Sequence, residues 1–197
     1  DGDQHIIVAA PTGAGKTLVA DYAITQVLAA GGRVFYTTPI KALSNQKFFD
    51  LGEQFGRDRV GLLTGDNSIN ADAPVVVMTT EVLRNMLYAG ADLDELSSVV
   101  LDEVHYLQDA YRGPVWEEVI IHLPRRIRLI CLSATVSNAD ELAEWIETVR
   151  GDTRLVVETK RPVELTNLYM VGERAGTHTH LLRTTKGSEP NPKGFRY

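Results

Sequence analysis

Nine consecutive residues, Ala9-Ala-Pro-Thr-Gly-Ala-Gly-Lys-Thr17, have the types and spacing to hold a chain of phosphates. They join a short apolar run, Ile6-Ile-Val-Ala-Ala10, to a helical pattern from Leu18 to Ala30. Strand, glycine-bearing loop and helix in that order form the context a phosphate-binding loop needs. Backbone N–H groups from Gly13 to Thr17 would converge on the anion, and the helix N-terminus would add a favourable dipole. The glycines let the backbone approach closely, in conformations that a Cβ would obstruct. Thr12, Gly13, Ala14, Gly15, Lys16 and Thr17 are therefore the expected binding set. Lys16 would set its ammonium against the β- and γ-phosphates, and the Thr17 hydroxyl would ligate Mg²⁺. Ala10 stands where the general pattern has its first glycine. A chance glycine-rich turn would not need the strand before it and the helix after it.

A second group lies downstream. Ser98-Val-Val-Leu-Asp-Glu-Val-His105 ends an apolar strand with two adjacent carboxylates. Alone, Asp102-Glu103 could be a solvated strand end. Paired with the loop upstream, the two acids are what a Mg·ATP site requires opposite its phosphates. Asp102 would hold the Mg²⁺ shell, and Glu103 would orient and deprotonate an attacking water. No other group competes. His178 and His180 lack a third ligand, and there is no HExxH or CxxC spacing, so a protein-held structural metal is not expected.

The elements that must position these residues come from a chain of 197 residues, enough to bury a sizeable core. Hydrophobic content of 44% and charged content of 23% are ordinary globular values, which excludes disordered and fibrous classes. No run of about 18 apolar residues and no signal-peptide pattern occurs, so the expectation is a soluble, cytoplasmic protein with no membrane partner. The one cysteine, Cys131 in Leu129-Ile-Cys-Leu132, excludes an intramolecular disulfide and reads as a buried thiol. Net charge is −6, which argues against an indiscriminate polyanion binder. Residues 91–118 carry eight acids against Arg112 alone, whereas residues 174–197 carry five bases against Glu189. Any nucleic-acid contact must therefore be local, through loops and backbone amides rather than a broad basic face.

Apolar runs alternate with helical patterns for about 150 residues. Strands are expected at His5–Ala10, Arg33–Thr38, Val60–Leu63, Pro74–Thr79, Ser98–Asp102 and Leu129–Ser133. Their near-continuous hydrophobicity points to strands covered on both faces, hence a parallel sheet. Helices are expected at Leu18–Ala30, Ala42–Gly52, Glu81–Ala89, Val115–Leu123 and Asn138–Val149. The fold class is α/β, mostly parallel and doubly wound. Trp116 and Trp145, on apolar helix faces, read as core packing. Leu155–Glu158 and Val163–Val171 read as further strands. A nucleotide-binding domain is expected over 1–171, with a linker or the start of another segment over 172–197.

With Asp102-Glu-Val-His105 in hand, the chain resembles the first RecA-like lobe of a superfamily-two DExH-box helicase, a P-loop NTPase. Within that family it most resembles the superkiller-type branch, which includes exosome-associated RNA helicases. The Ala10 variant suits the helicase-like branch of P-loop proteins. Pro39-Ile-Lys-Ala-Leu-Ser-Asn-Gln46 resembles motif Ia, Thr64-Gly-Asp66 motif Ib, and Thr79-Thr-Glu-Val-Leu-Arg84 the next strand-contacting motif. Ser133-Ala-Thr135 resembles motif III. Tyr111-Arg-Gly-Pro-Val-Trp-Glu-Glu118 resembles the run after the DExH box, and Lys160-Arg-Pro-Val163 the link toward a second lobe.

The resemblance implies Mg·ATP hydrolysis coupled to unwinding or translocation on a single strand, RNA favoured over DNA. It implies that Lys16, Asp102 and Glu103 are catalytic, and that Pro39, Lys41, Ala42, Thr64, Gly65, Thr79 and Arg84 line a single-strand track. It also implies that His105, Ser133 and Thr135 relay the nucleotide state to a second RecA-like lobe. The family's upstream adenine-recognising segment and its second lobe, with the arginine finger, are not in these residues, so the chain alone is expected to turn ATP over poorly. The alternatives are a DNA-repair helicase of the same branch and a nucleotide-binding module without turnover, which the presence of Lys16 and Glu103 counts against.

Overall fold

A computed structural model of the chain describes residues 4–134, 138–172, 179–187 and 189–195. The chain divides into two compact units, Asp1–Arg161 and Pro162–Tyr197.

The first unit is built on an eight-stranded sheet. Its strands are β1 (His5–Ala9), β2 (Arg33–Thr38), β3 (Val60–Thr64), β4 (Asn67–Ile69), β5 (Val75–Thr79), β6 (Leu96–Leu101), β7 (Arg128–Ser133) and β8 (Thr153–Val157), in the order β4-β3-β5-β2-β6-β7-β1-β8. Every pairing is parallel except β3 with β4. The helices are α1 (Lys16–Ala29), α2 (Lys41–Phe55), α3 (Thr80–Tyr88), α4 (Gly113–His122) and α5 (Ala139–Arg150).

Because side chains alternate along a strand, each central strand feeds two cores. Phe35, Val76, Val99, Leu101, Leu129 and Cys131 face one way and pack with Leu83 of α3, Trp116 and Val119 of α4, and Ile146 of α5. Val34, Tyr36, Val77, Val100 and Ile130 face the other way and pack with Ala20, Ala23 and Ile24 of α1 and Leu51 of α2. Helices therefore cover both faces, as the unbroken apolar runs require. Trp116 is fully buried, and Trp145 is partly buried against the same core.

Local chemistry sets the element ends. At the end of α1, Gly31 takes a positive φ of 76°. Its N–H then bonds Leu28 O and the Gly32 N–H bonds Val27 O, closing the last turn. At the end of α4 and just beyond it, the buried guanidinium of Arg150 donates to the carbonyls of Ile120, Leu123, Pro124 and Ile127. β4 is absent from the sequence reading because Asn67-Ser-Ile69 is short, polar and exposed. The strand expected over 163–171 is shorter in the structure and shifted toward its C-terminal end.

In the second unit, β9 (Leu168–Gly172) pairs antiparallel with β10 (Thr179–Arg183). A short ladder joins β11 (Thr185–Lys186) to β12 (Glu189–Pro190), and a 3-10 turn follows at Pro192–Phe195.

β1 is anchored at its start by His5, only 5% exposed, whose Nδ1 accepts the Leu129 N–H at 3.0 Å. Burial, and then the charge of Arg150, hold the imidazole below its ordinary value of 6.5. A group whose folded pKa is depressed in this sense refuses a proton that the unfolded chain accepts, so stability is full above about pH 6.5 and falls below it. Urea unfolding of the wild type and His5→Gln at about pH 7.5 and pH 5.5 checks this. The wild type should lose stability on acidification, and the variant should show a shallower loss; parallel slopes would refute the assignment.

Candidate active site

Parallel pairing brings the C-terminal ends of β3, β5, β2, β6, β7 and β1 to one edge of the sheet, where α/β folds bind ligands. The glycine loop leaves β1 there and the acid pair leaves β6, with β7 between them. Two strand spacings of ~4.8 Å put the loop and the acids about 10 Å apart.

Gly13 and Gly15 both have φ of 85°, a conformation that side-chain-bearing residues rarely adopt. Gly15 is the N-cap of α1 and supplies no side-chain cap, so the first turn opens with its N–H groups uncapped. At the start of the loop the Ala10 N–H is taken by Ser133 O at 3.1 Å, and within it Ala14 donates to Pro11 O at 3.1 Å. The Lys16 ammonium turns back to the carbonyls of Ala10 at 2.7 Å and Pro11 at 3.3 Å. A concave loop of free amides with a lysine at its mouth fits an anionic phosphate chain, and the exposed Thr17 hydroxyl stands at its rim.

Across β7, the Asp102 carboxylate is held at both oxygens. Oδ2 accepts the Tyr36 hydroxyl at 2.8 Å and Oδ1 accepts the Glu103 N–H at 2.9 Å. Glu103 itself sits at φ 54° and ψ 42°, a left-handed conformation without glycine's freedom. Such strain at the head of a 3-10 turn, Val104–Gln108, is characteristic of a working residue. A hard oxygen set at Thr17 and Asp102 suits Mg²⁺.

His105 joins this edge to the end of β7. Its Nδ1 accepts the Ala134 N–H at 3.3 Å and also lies 3.3 Å from Glu103 Oε2. One ring nitrogen cannot accept the first contact and donate to the second, so the two are alternatives. Ser133 Oγ, fully buried beside Ala134, has no hydrogen-bond partner among the described residues. Thr135 lies outside the described residues.

The other expected contacts line up along β2, β5 and β3. Thr79 is opposite Thr38, at the ends of β5 and β2. Thr79 occupies the N-cap position of α3 but makes no side-chain cap; instead the Thr80 hydroxyl bonds Thr38 O at 3.3 Å. Pro39 is buried, so it offers the edge only its backbone, while Ala42 and Gly65 are exposed. Lys41 reaches across to the β3 turn: Nζ is 2.5 Å from Asp66 Oδ2, and Thr64 Oγ1 donates to Asp66 Oδ1 at 3.1 Å. Arg84 lies apart from this row, with its guanidinium on Asn85 Oδ1 at 3.0 Å and 3.7 Å from Glu118. Sequence reasoning missed Asp66 and Tyr36 as site residues. Asp66 stood within a quoted motif; Tyr36 was hidden in an apolar strand.

A profile described as "DEAD/DEAH box helicase" matches residues 1–142. The chain belongs to that family. Among the relatives of this helicase domain, a protein named "Probable helicase HelY" from Mycobacterium leprae is 62% identical over 170 residues, which is 86% of this chain and 18% of that protein. "DExH-box ATP-dependent RNA helicase DExH15 chloroplastic" from Arabidopsis thaliana is 57% identical over 170 residues, covering 83% and 14%. "Antiviral helicase SKI2" from Saccharomyces cerevisiae is 53% identical over 166 residues, covering 83% and 13%. The domain spans less than a fifth of the length of these relatives. Its fold is similar to that of the DUF1998 helicase MrfA, solved bound to DNA and AMPPNP, with a TM-score of 0.65, 26% identity, and coverage of 78% of this chain and 24% of that one.

Relief of the strain at Glu103 makes the first test of this geometry. Glu103→Gly removes a left-handed non-glycine residue and is expected to raise stability by about 1 kcal/mol, read as a higher urea midpoint. A lowered midpoint would mean that Glu103 is held at no cost.

Proposed function

We propose that this domain is the ATP-binding lobe of a larger motor that couples Mg·ATP hydrolysis to translocation along, or unwinding of, a single strand of RNA. The observation that carries the reading is the placement of the amide-lined loop and the doubly held Asp102 on either side of β7, with strained Glu103 beside it. The loop amides of Thr12 to Thr17 and the Lys16 ammonium hold the triphosphate. Thr17 and Asp102 are the groups that would hold the magnesium shell. When bound, the ion neutralises charge that develops on the phosphate oxygens. Glu103 accepts the proton of the attacking water. Its neighbour His105, bonded to the backbone beside Ser133, carries the nucleotide state toward motif III and a second lobe; Thr135 completes that segment.

Contact with the strand falls to Pro39, Lys41, Ala42, Thr64, Gly65, Thr79 and Arg84. Hydroxyls and exposed amides at strand ends hold sugar–phosphate oxygens without reading bases. The name of the DExH15 relative supports RNA, whereas the DNA in the MrfA structure keeps DNA as the competing substrate. A second lobe of the parent protein would complete the cleft with an arginine finger, worth about 10³–10⁵ in rate in related systems. The motor would work in the cytoplasm. Among the described residues no helix is long and apolar enough to cross a membrane.

The experiment is ATP hydrolysis by the parent protein with single-stranded RNA, with single-stranded DNA, and with neither. RNA is expected to stimulate most, and Glu103→Gln to lose about 10²-fold or more. Equal rates in all three conditions, or full turnover by Glu103→Gln, would refute the motor reading. Stimulation mainly by DNA would replace the substrate and leave the site.

A further inference from the structure

Tyr36 is the residue of the nucleotide edge that neither its strand nor its core requires. It lies on β2 opposite Val100 of β6, fully buried on the side covered by α1 and α2. Any apolar side chain of its size would fill that position. Asp102 lies two residues beyond Val100 and so on the same face. The length of the phenol carries the hydroxyl along that face to Asp102 Oδ2 at 2.8 Å. A buried hydroxyl is costly without a partner, and here its one partner is the carboxylate expected to serve the metal. A carboxylate oxygen can only accept, so the hydroxyl is the donor of this bond. The ring is fixed in turn, with Lys47 Nζ 5.3 Å from its centroid. With the Glu103 N–H on Oδ1, both carboxylate oxygens are engaged.

We propose that Tyr36 is a positioning residue for the metal site: its hydroxyl holds Asp102 in the one orientation that serves a Mg²⁺-bound triphosphate. The proposal rests on the ATP-binding reading above. The bond leaves the outward lone pairs of both oxygens for metal-bound waters, and it removes the cost of ordering the carboxylate when the ion arrives. Tyr36→Phe deletes the hydroxyl and keeps the ring, its packing and its contact with Lys47.

A fluorescent non-hydrolysable ATP analogue, titrated into the parent protein with Mg²⁺ and with EDTA, tests this as a binding cycle. Tyr36→Phe is expected to weaken binding about tenfold with Mg²⁺ and to leave binding in EDTA unchanged, the loss of a hydrogen bond to a charged group partly replaced by water. Asp102→Asn should lose the Mg²⁺ effect by itself, and adding Tyr36→Phe to it should cost nothing more. An equal loss with and without Mg²⁺ would make Tyr36 merely structural and overturn the proposal, as would wild-type behaviour in both conditions. A wild type whose binding does not tighten with Mg²⁺ would overturn the ATP reading as well, which separates the two failures.

Discussion

The parallel pairing of β7 between β1 and β6 is the constraint on which everything at the functional edge depends. Three strands in parallel register end together, so a loop leaving the first and an acid pair leaving the third face each other across a fixed gap. Neither group could set that distance by itself. The loop is held by its own geometry, with the Ala10 N–H on Ser133 O at 3.1 Å tying it to the end of β7. The acid pair is held by the Asp102 N–H on Thr37 O at 3.0 Å, which ties it to β2. A shift of one residue in the β2–β6 pairing would turn Asp102 to the opposite face and away from Tyr36.

The edge divides into two electrostatic regimes. Around the glycine loop, positive potential comes from free amides and one lysine, which parks on carbonyls that compete only weakly with a phosphate. Along β2, β5 and β3 the cation is already matched, Lys41 by Asp66, while Arg84 on α3 lies loosely against Glu118. The Lys41 and Thr64 contacts hold the Asp66 carboxyl below the ordinary carboxylate range, yet the pair is exposed and contributes little to stability. Its consequence lies in recognition. A phosphate approaching Lys41 would have to displace a carboxylate, so under the proposed function a strand would be held by hydroxyls and amides more than by net charge. This is the local chemistry to which an overall charge of −6 restricts a nucleic-acid binder.

Much of this was legible in the sequence because the informative residues obey local rules. The central strands declared themselves by runs such as Val75-Val-Val-Met78, since burial on both faces leaves no room for alternation. The glycine loop and the Asp102-Glu103 pair were legible because backbone approach and paired carboxylates demand particular residue types at particular spacing. What was not legible depends on tertiary partners. Arg150 reads as an ordinary basic end to α5, and only the fold shows it capping four carbonyls. His5 looks like a polar strand start until its ring is found bonded to Leu129. β4 has no apolar pattern and exists because Thr64-Gly-Asp66 reverses the chain beside an available strand edge.

Tyr36 shows most clearly where one-dimensional reading runs out. In Val34-Phe-Tyr-Thr37 its ring satisfies the hydrophobic pattern, so nothing in the run marks the hydroxyl as necessary. The mark lies 66 positions away, in a carboxylate that periodicity puts on the same face only once β2 and β6 are known to be neighbours. Aromatic residues with a polar tip are the positions where a core pattern can conceal a functional contact. The general consequence is that a buried phenol in a central parallel strand should be traced toward the strand's C-terminal end. There its hydroxyl meets the one edge at which a buried polar atom has charged groups to serve.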